Sequence, residues 1–118
     1  MNKKNILLIE DTTDIVRIIR FKLEKGNCLV TDVSDTNKAL ELLAQQKFDL
    51  IILDMKIPLL KDGVNTFYQI REGFPKVPII ILSVAADEPP VRDLSADAFM
   101  LKPFEFKKLE EKIKELLK

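Results

Sequence analysis

Five polar side chains at or just past the ends of short aliphatic runs are the residues of this 118-residue chain that could do chemistry together. NILLIE (5–10) ends in Glu10 and runs into Asp11; LIILD (50–54) ends in Asp54; VPIIILS (77–83) ends in Ser83; AFMLK (98–102) ends in Lys102. Three carboxylates gathered in one place raise one another's pKa values, and a divalent cation relieves the repulsion. All-oxygen ligands of this kind suit Mg²⁺ or Mn²⁺. A cation beside a hydroxyl and an ammonium makes a pocket for a phosphoryl group. There the metal and Lys102 neutralise charge and Ser83 donates a hydrogen bond. The Asp54 carboxylate is then a candidate nucleophile, forming an acyl phosphate. Histidine is absent, which removes Ser-His-Asp catalysis, imidazole zinc ligation and a phosphohistidine on this protein itself.

Taken singly, each residue has a plainer use. An acidic pair after a strand commonly caps a helix, and Asp11, Thr12, Thr13 or Asp14 would serve. A lone Asp, Ser or Lys at a strand end is commonly a solvated loop residue. Only an architecture that brings four strand ends together makes them a site.

The pattern of elements supplies one. Short strand-like runs alternate with amphipathic helical segments five times. DIVRIIRFKLEKG (14–26) carries a stripe of Ile15, Ile18, Ile19 and Leu23, with Gly26 as its C-cap. CLVTDV (28–33) is a weaker strand, and Asp35 or Thr36 caps the helix NKALELLAQQ. A third helix is expected from about Val64 to Arg71, and a last one with Phe106, Leu109, Ile113, Leu116 and Leu117 on one face. The third and fourth strands are continuously aliphatic, as strands covered on both faces are. Right-handed β-α-β crossovers then give an α/β fold: a doubly wound parallel sheet of five strands between helices. In such a sheet ligands bind beyond the carboxyl ends of the strands, where strand order reverses. If strand one neighbours strand three, Glu10, Asp11 and Asp54 meet there, flanked by Ser83 and Lys102.

Composition excludes several classes. Lys plus Arg and Asp plus Glu are 19 each, so no net charge advertises nucleic acid or a membrane surface as partner. No apolar run approaches the roughly 20 residues of a membrane span, and the start reads as a first strand rather than a signal peptide. Cys28 is alone, so it reads as a small buried hydrophobe and a cytoplasmic location is the simplest home. The length suits one domain, residues 1–118.

The motifs ILLIEDTTDI (6–15), LIILDMKIP (50–58), DG (62–63), PIIILS (78–83) and KPF (102–104), in this order, resemble the receiver domain of two-component response regulators over the whole chain. LDMKIP is similar to the small stand-alone regulators of sporulation phosphorelays and chemotaxis-like relatives. The resemblance implies a flavodoxin-like sheet of order 2-1-3-4-5 in three α/β/α layers. It implies Asp54 as phosphoacceptor, with Mg²⁺ (or Mn²⁺) held by Glu10, Asp11, Asp54 and the backbone carbonyl of Lys56. It makes Ser83 the hydroxyl that moves onto the phosphoryl group, Lys102 the lysine that pairs with it, and Phe99 the aromatic switch. It also implies a cis Lys102–Pro103 bond that aims Lys102. The implied partners are a histidine kinase or phosphotransfer protein and an unknown downstream protein, with no nucleic acid and no membrane.

The chain departs from the family pattern in three places. Gly63 follows Pro58 by five positions, one more than usual. Val84 stands where Ala or Gly is usual, and the stretch from Ser83 to Lys102 is short. Pro89-Pro90 lies inside it, so any fourth helix must start near Pro90, anchored by Val91 and Leu94, and is expected to be shortened or irregular. Two readings stay open: a phosphoacceptor signalling domain, and a phosphorylation-independent pseudo-receiver that binds proteins. Turnover of a foreign substrate is disfavoured, because Lys56 stands where aspartyl-phosphate phosphatases place an acid.

Overall fold

Strand alternation sorts the core into two apolar layers, one on each face of the sheet. The computed structural model describes residues 3–55, 60–84, 86–87 and 89–118, with residues 60–62 described in backbone alone. In chain order the elements are β1 (Lys4–Ile9), α1 (Thr13–Lys25), β2 (Cys28–Val33), α2 (Thr36–Gln45), β3 (Leu50–Met55), α3 (Leu60–Gly73), β4 (Ile79–Ser83), a 3₁₀ turn (Val91–Asp93), β5 (Ala98–Leu101) and α4 (Phe106–Leu116). Ile6, Leu8, Leu50, Ile52, Ile80 and Leu82 face α1 and α4, where Ile19, Leu23, Leu109 and Ile113 cover them. Leu7, Ile9, Ile51, Leu53, Ile79 and Ile81 face α2 and α3 and meet Ala39, Leu43, Phe67 and Ile70. All six residues of β3 are buried, which is why that strand has no polar alternation before Asp54.

The strands pair in parallel in the order β2-β1-β3-β4-β5. The chain winds outward from β1 to β2, then crosses back to β3, so the order reverses between β1 and β3. This is the flavodoxin-like arrangement expected, and it fixes the place where a ligand would sit.

Two aspartates set the register of the strands that matter. The Asn5 N–H donates to Asp49 Oδ2 at 2.8 Å, while the Asp49 N–H donates to the Asn5 carbonyl at 2.8 Å. Asp97 repeats the pattern two crossovers later: its Oδ2 accepts from the Ile79 N–H at 2.8 Å, and its own N–H donates to the Ile79 carbonyl at 2.9 Å. Arg71 of α3 also donates to Asp97 Oδ2, at 3.0 Å. Each clasp pins the start of a strand against its neighbour. A slip of one residue would turn every side chain of that strand to the other face.

Several local expectations need correction. Ile18 is 56% exposed; at roughly 3.6 residues per turn it falls on the flank facing water, and Val16 packs beneath the helix in its place. Gly26 is the C-cap of α1 as expected, with an ordinary φ of −85°, and the left-handed position falls to Asn27, at φ 70°. Asparagine tolerates that region better than most side chains. Cys28 is half-buried rather than buried. The third helix starts at Leu60 and ends at Gly73, so Gly63 lies inside a helix and not in the turn before one. Of the two candidate caps for α2, Asp35 serves, accepting from the Lys38 N–H at 2.8 Å.

Between β4 and β5 the only helical element among the described residues is the three-residue 3₁₀ turn, with Pro90 at its N-cap. The fourth helix is therefore shortened as the prolines require. Val91 and Leu94 are its buried anchors, at 0% and 5% exposure.

Candidate functional site

The register of β1 on β3 builds the site before any side chain is considered. Ile6 lies beside Leu50 and Leu8 beside Ile52; two residues further on the same face come Glu10 and Asp54. Both are buried, at 4% and 9% exposure. On that face of β5, Ala98 and Met100 lead to Lys102. Three charged groups thus crown the apolar layer under α1 and α4.

Local bonds hold each of them. The Thr12 N–H, at the start of α1, donates to Glu10 Oε1 at 2.7 Å, and the Glu10 N–H donates to the Val33 carbonyl at 3.0 Å. The Lys102 N–H donates to the Ser83 carbonyl at 2.9 Å, which fixes its backbone beside the end of β4. The Lys102–Pro103 bond is cis, as the resemblance implies. From there the Lys102 ammonium reaches both Asp54 oxygens, each at 2.6 Å. The Asp54 side chain has no exposed surface, and that of Lys102 is 21% exposed.

The electrostatics follow from this crowding. Burial first, and then the hydrogen-bonded Glu10 carboxyl, push the Asp54 carboxyl from its ordinary 3.8 up to about 7, against the opposing pull of Lys102. Two buried acids thus crowd one ammonium, and that crowding disfavours the ionised form of Asp54. A divalent cation fits the same need, and the donors are the hard oxygens that Mg²⁺ and Mn²⁺ prefer.

Not every expected residue joins the cluster. Asp11 is exposed and lines the mouth of a cleft of about 370 Å³ that also contains Glu10 and Asp54. Among the described residues, no group of three or more His, Cys, Asp or Glu side chains is arranged to hold a metal ion. Two carboxylates are assembled and the third stands at the rim. Lys56 lies outside the described residues. Ser83 is fully buried, opposite Met55 and Leu101. It projects to the α2/α3 face, the face on which Phe99 is partly buried against the core.

The far side of the cleft was not read from the sequence. Thr36 at the start of α2 and Thr66 of α3 share a hydrogen bond of 2.5 Å, and both line the cleft with Asn65 and Gln69. Thr66 is 5% exposed, a buried hydroxyl inside an otherwise amphipathic helix. That polar residue on the apolar side of a helical pattern was the available signal.

A family model for the response regulator receiver domain matches residues 6–114. The chain belongs to the response regulator receiver family. Among curated relatives, the alkaline phosphatase synthesis transcriptional regulatory protein PhoP of Bacillus subtilis is 35% identical over 122 residues, covering 100% of this chain and 50% of that protein. The response regulator ArlR of Staphylococcus saprophyticus is 32% identical, covering 96% of this chain and 52% of its own length. The receiver chain thus spans about half the length of these relatives.

Solved structures agree with the fold. The response regulator TrrA from Thermotoga maritima, in complex with Mg²⁺-BeF, superposes with a TM-score of 0.84 at 27% identity, covering 97% of this chain and 99% of that one. The receiver domain of a sensor histidine kinase from Pseudomonas aeruginosa, with a magnesium ion coordinated in its active-site cleft, gives 0.85 at 27% identity and 98% coverage of both. TrrA in complex with the histidine kinase ThkA gives 0.84 at 26% identity, covering 98% and 99%. Receiver domains are the signalling domains of two-component systems. Among the described residues, no helix is long and apolar enough to cross a membrane.

Proposed function

We propose that this receiver domain accepts a phosphoryl group on Asp54 in a reaction that requires Mg²⁺ or Mn²⁺, and that phosphorylation switches its protein–protein contacts. The observation that carries the reading is the buried Asp54 carboxylate held between Glu10 and Lys102 at the reversal point of the sheet. The phosphodonor is a histidine kinase or a phosphotransfer protein, as membership of the receiver family implies. Magnesium bound to related receivers and a kinase bound to TrrA support the cofactor and the donor class.

The chemistry is a displacement at phosphorus. An Asp54 oxygen forms the new O–P bond as the P–N bond of the donor phosphohistidine breaks, and the leaving imidazole takes up a proton. Asp54 attacks only as the anion, and burial works against that state. Glu10 and Asp54, with Asp11 and the Lys56 carbonyl as further donors, would hold Mg²⁺ or Mn²⁺, which would supply the charge that keeps Asp54 ionised and would neutralise the phosphoryl oxygens. Lys102 then pairs with the transferred group, and the Ser83 hydroxyl donates to it. Phe99, on the same face as Ser83, carries the change towards the surface around the 3₁₀ turn. Residues 1–118 act as one receiver unit in the cytoplasm, with a downstream protein as target. The domain catalyses only the gain and loss of its own phosphoryl group.

Incubation with a small-molecule acyl phosphate and Mg²⁺, followed by mass spectrometry, tests this. One phosphoryl group is expected, lost with chelator and lost in Asp54→Asn. Label that survives either change would overturn the reading.

A further inference from the structure

The foot of the sheet, at the opposite end from Asp54, carries a cavity of about 420 Å³ between the last turns of α1 and α4. That size lies within the ~300–1,000 Å³ of small-molecule sites. Its apolar wall is made by Leu23 and Ile113, both buried, with the partly buried Leu117 and the Cys28 thiol. Burial and then the Glu110 carboxylate push the Cys28 pKa up. The thiol therefore stays neutral and belongs to the apolar wall.

Charge surrounds this wall. Lys4 is the parallel partner of Cys28 at the start of β1, and Glu110 and Lys114 lie one turn apart on α4. Among the described residues, neither Lys4 nor Lys114 forms an ion pair. Lys22 also lines the cavity, but its ammonium sits 5.2 Å over the Phe106 ring. The lining thus holds two ammonium groups without an ion-pair partner against one carboxylate. The carbonyl ends of α1 and α4 add partial negative charge nearby. A polyanion such as a nucleotide presses on Glu110 and on those helix ends, and a cation meets the lysines. A single carboxylate on an aliphatic chain satisfies both constraints.

We propose that this cavity binds an aliphatic monocarboxylate, its chain against Leu23, Ile113 and Leu117 and its carboxylate between Lys4 and Lys114. Such a ligand bridges α1 and α4, which cover the same face of the sheet, and so stabilises that layer from the end remote from Asp54.

Titration of the isotope-labelled full chain with sodium decanoate, kept below its micelle concentration and followed by NMR, gives the test. Saturable shifts are expected at the Gly26, Asn27 and Cys28 amides. Decanoate is also expected to slow alkylation of Cys28 by iodoacetamide, with the same midpoint. Lys4→Ala combined with Lys114→Ala is expected to weaken binding roughly fivefold, and decanol, which lacks the charge, to bind the unaltered protein more weakly by a similar factor. Both lysines are exposed, so the double variant is expected to fold; should it not, the comparison of decanoate with decanol decides. Shifts that do not saturate, or that centre on another surface, show adsorption of an amphiphile only and overturn the proposal. Decanoate binding that the double variant leaves unchanged, or that decanol matches, overturns it as well.

Discussion

At the scale of single residues, the site is a problem of charge burial. Asp54 has a folded-state pKa of about 7 against an ordinary 3.8, through burial and then Glu10. Between those values the folded protein holds a proton that the unfolded chain has lost. The stability contributed by this group is therefore greatest below 3.8 and falls as pH rises towards 7. In chelator, urea unfolding is expected to show stability declining from pH 5 to pH 8, with the decline reduced in Asp54→Asn. An equal decline in the variant would assign it to another group. These residues were legible in the sequence because each sits at or just past the end of an aliphatic run. What the sequence did not separate was Glu10 from Asp11. Alternation carries Glu10 onto Asp54's face, whereas Asp11 follows the end of β1 and stays exposed.

At the scale of elements, the third helix shows where local signals mislead. The sequence pattern starts the third helix just after Gly63, at about Val64, yet Gly63 lies within α3, against β3. A Cβ placed there would stand 2.7 Å from Met55 Cγ and 3.2 Å from Met55 Cβ, and Met55 is 1% exposed. Glycine is therefore required by close approach rather than by backbone angle. Gly63→Ala gains up to about 1 kcal/mol in helix propensity but overpacks the Met55 contact, which costs roughly 1–3 kcal/mol. A net loss of stability is expected in urea melts. Met55→Ala should relieve the clash, so the double variant is expected to be more stable than the sum of the single effects predicts. Strict additivity would show that Met55 is not what the new methyl meets. Ile18 makes the same point: four apolar positions fit one helical stripe in the sequence, and only packing against β1 and α4 decides that Ile18 is outside it.

At the scale of the molecule, β5 carries Phe99 and leads to Lys102, yet it is an edge strand of four residues. The segment that leads into it is held by little. Among the described residues, its backbone bonds are Asp93 N–H to the Pro90 carbonyl at 3.2 Å, Leu94 N–H to the Val91 carbonyl at 3.1 Å, and Asp97 N–H to the Ile79 carbonyl at 2.9 Å. Val91 and Leu94 supply its buried apolar anchors. Local opening requires only the breaking of a unit this small, whereas β4 opens only with the core around it. Hydrogen exchange is therefore expected to be faster by orders of magnitude at Asp93 and Leu94 than at Ile80 and Ile81. Asp97 is the boundary, because its carboxylate and amide both engage Ile79 while Arg71 holds the same carboxylate. Asp97→Ala removes the acceptor for a part-buried N–H, which costs about 1–3 kcal/mol, and is expected to extend fast exchange to Ile79 and the start of β5. Slow exchange throughout residues 91–97, unchanged in Asp97→Ala, would show that the short turn moves only with the core and that partners meet a rigid surface beside Phe99.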